Sequence, residues 1–406
     1  MPALQTTAYC AILTLCHLAA PKLTAMRDLL ITRATVLLPN EVAENHAVAI
    51  QGGRIIALGK AAEAFDQLPT LDLHGDWLVP GFIDLQVNGG GGVLFNDAPT
   101  LETLRCMLDA HRRFGTTRLL PTLISSEPAR MQAAVDAVRE AQSAGLQGVL
   151  GLHLEGPFLN PLRRGVHDAA QFRSLTLEDV DWLCAANCGH LMLTLAPELQ
   201  APELIARLAA AQVHVMIGHS AADTETTRAA LRAGARGFTH LFNAMPPWQG
   251  RAPGVLGAAL LDDDSYVGLI VDGHHLHPAS IDLALRCKPR GRCVLVTDAM
   301  STVGSALQQF PFGSQTVTLR NGCLQTDNGT LAGSALDMIS AVKRCIQQHG
   351  LAPEEALRMA STWPADLLDR SDLGRIAPGA SADLLRLSPD LQVKASWLAG
   401  AMQNHA

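Results

Sequence analysis

Eight short apolar runs, nearly all separated by a stretch of helical character, constrain this chain more than any other feature of its sequence. They cover residues 81–87, 116–123, 149–154, 191–196, 213–218, 237–242, 266–271 and 293–297. Each has β-branched or aromatic content or a Gly/Pro boundary, which suits a strand buried on both faces. Helical candidates fall between most of them, at 101–114, 129–144, 177–188, 202–211, 224–233 and 278–287, with 335–349 and 353–368 after the last. Such alternation predicts parallel βαβ units, and eight units predict an α/β fold closed into a (β/α)8 TIM-like barrel of about 250 residues rather than an open sheet. Residues 312–331 (FGSQTVTLRNGCLQTDNGTL) break the rhythm with an Asn-Gly turn between alternating segments, so a hairpin is expected after the eighth strand.

The two ends of the chain have a different texture. Residues 29–78 read as strands, with LLITRATVLL, then AVAIQGGRIIALG, then LDLHGDWLVPG, and residues 373–399 resume that pattern between Pro-Gly and Ser-Pro breaks. The expectation is a small discontinuous β-sandwich domain, built from 26–79 and 373–406, beside a barrel domain over 80–372. Residues 1–25 form an N-terminal extension expected to be disordered. Their run 11–20 (AILTLCHLAA) resembles a short signal core, but no Lys or Arg precedes it and Lys22 follows.

A net charge of −7 provides no general basic surface for nucleic acid or anionic membrane, and no run reaches the roughly 18 apolar residues of a spanning helix. Neither partner is expected. Nine cysteines, an odd number without a Cys-x-x-Cys pair, read as reduced thiols in a cytoplasmic protein.

Polar residues close the apolar runs: Gln86 and Asn88, Glu155, His219, His240, Asp272 with His274 and His275, and Asp298. In a barrel all of these lie at the carboxyl ends of strands, the face where catalytic groups gather. Glu155 is the residue that most needs a partner, because a charge at the end of a buried strand is costly unless paired. With His219 and His240 it makes a ligand set suited to a catalytic zinc or similar divalent ion that keeps a position open for water. Asp298 would stand beside that water as proton acceptor and donor. A single histidine at a strand end is ordinarily a hydrogen-bonded rim residue; the coincidence of four strand ends favours the metal site.

The stretches PGFIDLQVNGGGGVLFND, HLEGPFLNPLRRGVHD, IGHSAA, THLFNAMPPWQGRAPG, VDGHHLHP, LVTDAM and GTLAGSALDM resemble the N-acetylglucosamine-6-phosphate deacetylases of the amidohydrolase superfamily, over about residues 29–399. The resemblance implies that Glu155, His219 and His240 bind the metal and that Asp298 is general base and acid. It implies that His167 contacts the acetamido carbonyl, and that Asn243 and Ala244 contact sugar and phosphate. Arg251 and His275 would hold the 6-phosphate, Arg251 reaching in from a neighbouring subunit, so that a homodimer is implied. Composition alone would not choose His275 over His274 and His277; the motif does. Leu331, Ala332 and Gly333 match a backbone segment that contacts substrate, and Val166 stands where a hydroxyl residue is common. Asp272 has two readings, a substrate contact or a cap of its strand end. His111, His153, His190 and His214 have no motif support and are read as structural.

Many amidohydrolases carry His-x-His on the first strand and bind two metals. This chain has Gln86-Val87-Asn88, whose neutral amides are poor ligands near the metal, so one divalent ion per subunit is expected, with Zn2+ the best fit. The same substitution occurs in a mononuclear branch of the deacetylases. The implied reaction is hydrolysis of N-acetyl-D-glucosamine 6-phosphate, a phosphosugar of amino-sugar metabolism, to D-glucosamine 6-phosphate and acetate. Its galacto epimer differs at one hydroxyl and is not separated by sequence. A cyclic-amide hydrolase would leave the phosphate pair unexplained, and a non-catalytic barrel would not need all four site residues.

Overall fold

The computed structural model describes residues 27–405, so the extension expected over residues 1–25 lies outside the described residues. Eight parallel strands form one sheet in chain order: β1 (Phe82–Val87), β2 (Thr116–Ile124), β3 (Gly151–Glu155), β4 (His190–Leu195), β5 (His214–Ile217), β6 (Gly237–Phe238), β7 (Tyr266–Leu269) and β8 (Cys293–Leu295). The seam between β8 and β1 is closed just beyond β8. There Val87 bridges Ala299 in parallel, Asp298 N donates to Gln86 O at 2.9 Å and Asn88 N to Ala299 O at 2.9 Å. Below this point the Thr297 hydroxyl donates to Asp84 Oδ2 at 2.6 Å and its N–H to Asp84 Oδ1 at 3.2 Å, which ties the last strand to the first from inside. The expected barrel is thus present.

The run expected over 237–242 supplies only the two strand residues of β6, because the chain turns out of the sheet at His240 (φ 29°) and Phe242 (φ 76°). Between β6 and β7 lies the helix Gly254–Leu261, which sequence periodicity did not announce. Its residues GVLGAALL are apolar all round, and Val255 to Leu260 are buried, so there is no polar face to mark a helical period. Other helices carry the signals expected of them. Thr100, Asp223 and Asp337 cap Leu101–Arg112, Thr224–Arg232 and Met338–His349 through their side-chain oxygens, and Thr176 with Asp179 forms a capping box on Leu177–Cys184.

The termini meet in a second sheet. Its path runs from Ala401–Asn404 through Val393–Leu398 and Leu384–Leu387 to Trp77–Pro80, then Leu29–Leu37, Val42–Gln51 and Arg54–Leu58, with Thr70–Asp72 paired to Leu29–Leu37. The join between the two ends of the chain is the antiparallel pairing of Trp77–Pro80 with Leu384–Leu387. This sheet is continuous by hydrogen bonding, yet both wings contribute to one core: Ile31, Ile50 and Ile55 from one, Leu384, Ala395 and Trp397 from the other. Two faces of one folded sheet therefore do the work of the expected sandwich.

The segment after β8 has three strands rather than the two of a hairpin: Gln309–Phe312, Gln315–Arg320 and Cys323–Thr326. Asn321 (φ 51°) and Gly322 (φ 81°) form the turn between the last two, a pair of left-handed residues that matches strand twist. Phe310, Val317 and Leu324 from this sheet pack with Leu94 after β1 and Met300 after Asp298, so it stands beside the carboxyl ends of the barrel strands.

Barrel and terminal sheet are joined by a buried ion pair. Arg118 on β2 donates from Nε to Asp383 Oδ2 at 2.5 Å, with only 11% and 4% of the two side chains exposed. Asp383 Oδ1 accepts from Ala399 N at 2.7 Å, and Gly81 N donates to Asp383 O at 2.8 Å. Substituting Asp383→Ala leaves a buried guanidinium without its charge partner, an effect of about 3–5 kcal/mol. Breaking the half-exposed Arg207–Asp181 pair should cost about 1 kcal/mol or less. Thermal or denaturant unfolding of Asp383→Ala and Arg207→Ala checks the contrast; equal shifts would contradict it.

Candidate active site

Each strand end delivers its polar residue by a specific backbone device. Glu155 is the last residue of β3 and is buried. His219, His240 and Asp298 follow β5, β6 and β8, and all three adopt left-handed backbone conformations, with φ of 48°, 29° and 52°. Such conformations are unfavourable for residues with a Cβ and persist where surrounding structure holds them, commonly at functional sites.

The side chains converge. Glu155 Oε1 lies 2.9 Å from His240 Nε2 and 3.1 Å from His219 Nε2, and the two Nε2 atoms are 3.1 Å apart. All three residues are buried. The tautomer of His219 follows from its far side, where Nδ1 is 2.7 Å from Arg163 O. A carbonyl can only accept, so Nδ1 carries a proton, and the neutral form of the ring would present its lone pair on Nε2. In that form no proton lies between His219 Nε2 and Glu155 Oε1. A divalent cation resolves this: ligands about 2.0–2.2 Å from zinc in a tetrahedral shell lie roughly 3.3–3.6 Å apart, and the observed triangle is only slightly tighter. The donor set fits a metal ion, held by one carboxylate and two imidazoles.

Gln86 and Asn88 occupy the other side of the site. Asn88 Nδ2 donates to Asp298 Oδ1 at 2.6 Å, and Gln86 Nε2 reaches both Asp298 Oδ1 and Glu155 Oε2 at 3.2 Å. These amides aim N–H groups, not lone pairs, between the two carboxylates. Both Asp298 contacts fall on Oδ1, and no hydrogen bond from the described residues reaches Oδ2. Burial, followed by the nearby charge of Glu155, pushes the Asp298 carboxyl up to about 6 in the metal-free protein; a bound cation acts in the opposite sense.

His167 sits with its ring centroid 4.5 Å from that of His219. The Ser125 N–H donates to His167 Nδ1 at 3.4 Å, and the Ser125 hydroxyl lies 2.9 Å from the same atom. Nδ1 is therefore an acceptor, and the proton resides on Nε2. Burial, then repulsion from His219, lowers the His167 pKa to about 3, so the ring is a neutral N–H donor. Ser125 was not anticipated. Its signal was available in the Ser125-Ser126 pair that ends the second apolar run, a polar strand end like the others.

The remaining positions are placed as follows. Asp272 accepts the N–H groups of His274 and His275 at 2.8 Å through Oδ1 and faces His275 Nδ1 at 2.7 Å through Oδ2, so of its two readings the geometry is that of a cap. Burial opposes ionisation of Asp272, but the hydrogen bonds and charge of His275 outweigh it and hold the carboxyl down at about 2. His275 is near enough for its charge to act on Asp298. Asn243 donates from Nδ2 to His240 O at 3.2 Å, and Ala244 is left-handed (φ 53°) in the same turn. Leu331, Ala332 and Gly333 run beside Asp298, with Ser334 N donating to Asp298 O at 2.8 Å. A Cβ on Gly333 (φ 58°) would come within 2.8 Å of Asp298 O, so the close approach requires glycine. Val166 packs on the three-stranded sheet. Arg251 is exposed, on a loop closed by a Gln249–Ala252 bridge, with no hydrogen bond or ion pair among the described residues. His111, His153, His190 and His214 make internal contacts; His153, between Thr122 and Thr194, is driven to a pKa of about 4 by burial and stays neutral beneath Glu155.

Residues 77–402 match the model of the Amidohydrolase family. The chain belongs to that family. It is 44% identical to an N-acetylgalactosamine-6-phosphate deacetylase of Shewanella sp. (strain ANA-3), over 91% of this chain and 94% of the relative. It is 36% identical to an N-acetylglucosamine-6-phosphate deacetylase of Haemophilus influenzae, over 87% of this chain and 93% of the relative. Among solved structures, the N-acetylglucosamine-6-phosphate deacetylase of Pasteurella multocida superposes with a TM-score of 0.90 at 35% identity, covering 93% of this chain and 100% of that one. A mutant deacetylase of Mycobacterium smegmatis in complex with N-acetyl-D-glucosamine-6-phosphate superposes with a TM-score of 0.84 at 33% identity, covering 92% and 99%. The resemblance noted from the motifs is borne out at the level of this amidohydrolase branch.

The amidohydrolase site predicts one metal equivalent per chain. Reconstitution with Zn2+ followed by elemental analysis should give a stoichiometry near one in the wild type and a large loss in Glu155→Ala. Two equivalents would contradict the role given to the Gln86 and Asn88 amides. Because the ion binds the folded state, saturating it at about 100 times its dissociation constant should add about 2.7 kcal/mol of stability over the chelator-treated protein.

Proposed function

We propose that the protein hydrolyses the acetamide of N-acetyl-D-glucosamine 6-phosphate to D-glucosamine 6-phosphate and acetate. The observation that carries this reading is the convergence of Glu155 Oε1, His219 Nε2 and His240 Nε2 beside an Asp298 carboxylate braced on one oxygen by two amides. The similarity to deacetylases over most of the chain supports the substrate class. One divalent ion, which we take to be Zn2+, would be held by Glu155, His219 and His240, supplying Lewis acidity to the attacking water and the acyl oxygen.

The chain's own residues do the rest. Asp298 takes the proton of the attacking water on Oδ2 and later delivers it to the departing amine, the two halves of general base and acid catalysis. His167, neutral with its proton on Nε2, donates to the oxygen that gains negative charge as the carbonyl becomes tetrahedral. Ser125 keeps that proton where it is needed. His275, with Nδ1 committed to Asp272, and Arg251 bind the 6-phosphate, arginine by bidentate charge-assisted bonds. Asn243, Ala244, Leu331, Ala332 and Gly333 line the sugar, with Val166 beside His167. An exposed Arg251 without a hydrogen bond or ion pair among the described residues, on a loop that also exposes Trp248, supports a homodimer in which Arg251 completes the neighbouring site. Residues 26–79 with 373–406 are taken as one domain and 80–372 as the catalytic barrel. No helix among the described residues is long and apolar enough to cross a membrane, and a cytoplasmic location is proposed.

A second reading, hydrolysis of the galacto epimer, is favoured by the 44% identity to the Shewanella enzyme. Acetate release from the two epimeric acetylhexosamine 6-phosphates, measured on one preparation, separates them; preference for the galacto substrate would replace the gluco assignment.

Asp298→Asn should retain its metal while turnover falls about 10²- to 10⁴-fold, as read by acetate release with metal analysis of the same sample. Near-normal turnover would remove Asp298 from the mechanism. Arg251→Ala should raise KM for the phosphorylated sugar by about 10-fold or more, the worth of a hydrogen bond to a charged group, and leave hydrolysis of the unphosphorylated sugar little changed. An equal loss on both would contradict phosphate recognition by Arg251.

A further inference from the structure

His219 depends on a carbonyl from elsewhere in the chain, and that carbonyl must itself be held. It belongs to Arg163, at the end of the 3-10 turn Pro161–Arg163. This turn is pinned at its start by Asn160, whose N–H donates to His219 O at 3.0 Å and whose Oδ1 accepts from Leu162 N at 2.9 Å. The remaining group of Asn160, Nδ2, donates to Glu198 Oε1 at 2.8 Å.

Glu198 lies in the short turn Pro197–Leu199 after β4, between the strand that ends in Glu155 and the strand that leads to His219. The same Oε1 accepts from Ala221 N at 2.6 Å, and Oε2 accepts from the Ser220 hydroxyl at 2.7 Å. Ser220 Oγ in turn accepts from Ala222 N at 3.0 Å. One carboxylate therefore gathers donors from the two loops that meet at His219: the turn that supplies its carbonyl partner and the turn that follows it in sequence. Asn160 and Ser220 are both buried, so a lost partner there would not be replaced freely by water.

We propose that Glu198 is a positioning residue of the metal site, clamping the turn at Asn160 to the turn at Ser220 and Ala221 and so holding the Arg163 carbonyl against His219 Nδ1. The inference rests on His219 being a metal ligand. An imidazole offers Nε2 to a metal only while Nδ1 keeps its proton, and a fixed acceptor on Nδ1 both orients the ring and strengthens the lone pair. Loss of such an outer partner commonly weakens metal binding about 10- to 100-fold. Three donors on two oxygens explain why a carboxylate serves here. An alanine leaves all three unmet. A glutamine can still accept from Asn160 and Ala221 on its oxygen while its amide donates to Ser220 Oγ.

The test is the Zn2+ dissociation constant of the full chain, by competition with a chromophoric chelator, alongside unfolding of the metal-free protein. Glu198→Ala and Asn160→Ala should each weaken Zn2+ binding about 10- to 100-fold, with Glu198→Gln close to wild type. Since both alanine variants break the shared Asn160–Glu198 bond, the double variant should lose less than the sum of the two single losses. His219→Ala is the reference that should abolish tight binding. Wild-type affinity in Glu198→Ala, with or without a drop in thermal stability, would overturn the inference while His219→Ala remained defective. Additive losses in the double variant would also overturn it. Wild-type affinity in His219→Ala would overturn the metal-site reading, and this inference with it.

Discussion

A carboxylate buried at the end of β3 requires positive charge beside it, and the top of the barrel is arranged to supply it. Glu155 pairs with no lysine or arginine among the described residues. It meets two imidazoles, one of which is locked by the Arg163 carbonyl into the tautomer that offers a lone pair. A cation suits that geometry, and the buried carboxylate with its two imidazoles could hold one. His219, His240 and Asp298 reach the same site from left-handed positions just past their strands, while Glu155 reaches it from the last residue of β3.

Closure of the barrel and placement of Asp298 are one event. The Asp298 N–H completes the seam by donating to Gln86 O, while the side chain of Gln86 donates back to Asp298 Oδ1. Asn88, one step past β1, adds the shorter bond. The first strand thus presents N–H donors rather than lone pairs here, and they brace the Asp298 carboxylate. On the outer side, the backbone at Ser334 and the glycine at 333 press against Asp298 O, so the aspartate is held from both neighbours in the ring.

Structure outside the barrel acts on the site through a few contacts. The three-stranded sheet after β8 packs its apolar face on Leu94, Met300 and Val166, next to the loops that carry Asn88, Asp298 and His167. The terminal sheet is joined to β2 through Arg118 and Asp383, at the opposite end of the strand that leads to Ser125. Such buried polar links have little freedom to shift, and rigidity of this kind suits a site whose donor atoms must stay within a few tenths of an ångström.

Local pattern determined a great deal. Eight apolar runs bounded by turn residues specify eight buried strands, since burial of both faces and interruption by glycine or proline are properties of a short window. Glu155, His219, His240 and Asp298 were legible because each stands at the end of such a run. The apolar helix Gly254–Leu261 was not, having no polar face to reveal its period, and the third strand at Gln309–Phe312 gains its meaning only from pairing with Gln315–Arg320. Tertiary structure alone decided the tautomers of His219 and His167, the cap made by Asp272, and the partners Ser125 and Glu198. Ser125 meets His167 across 42 positions and Glu198 meets Asn160 across 38. Hydrogen bonds between loops are set by the register of neighbouring strands, a distance in space that no window of sequence contains.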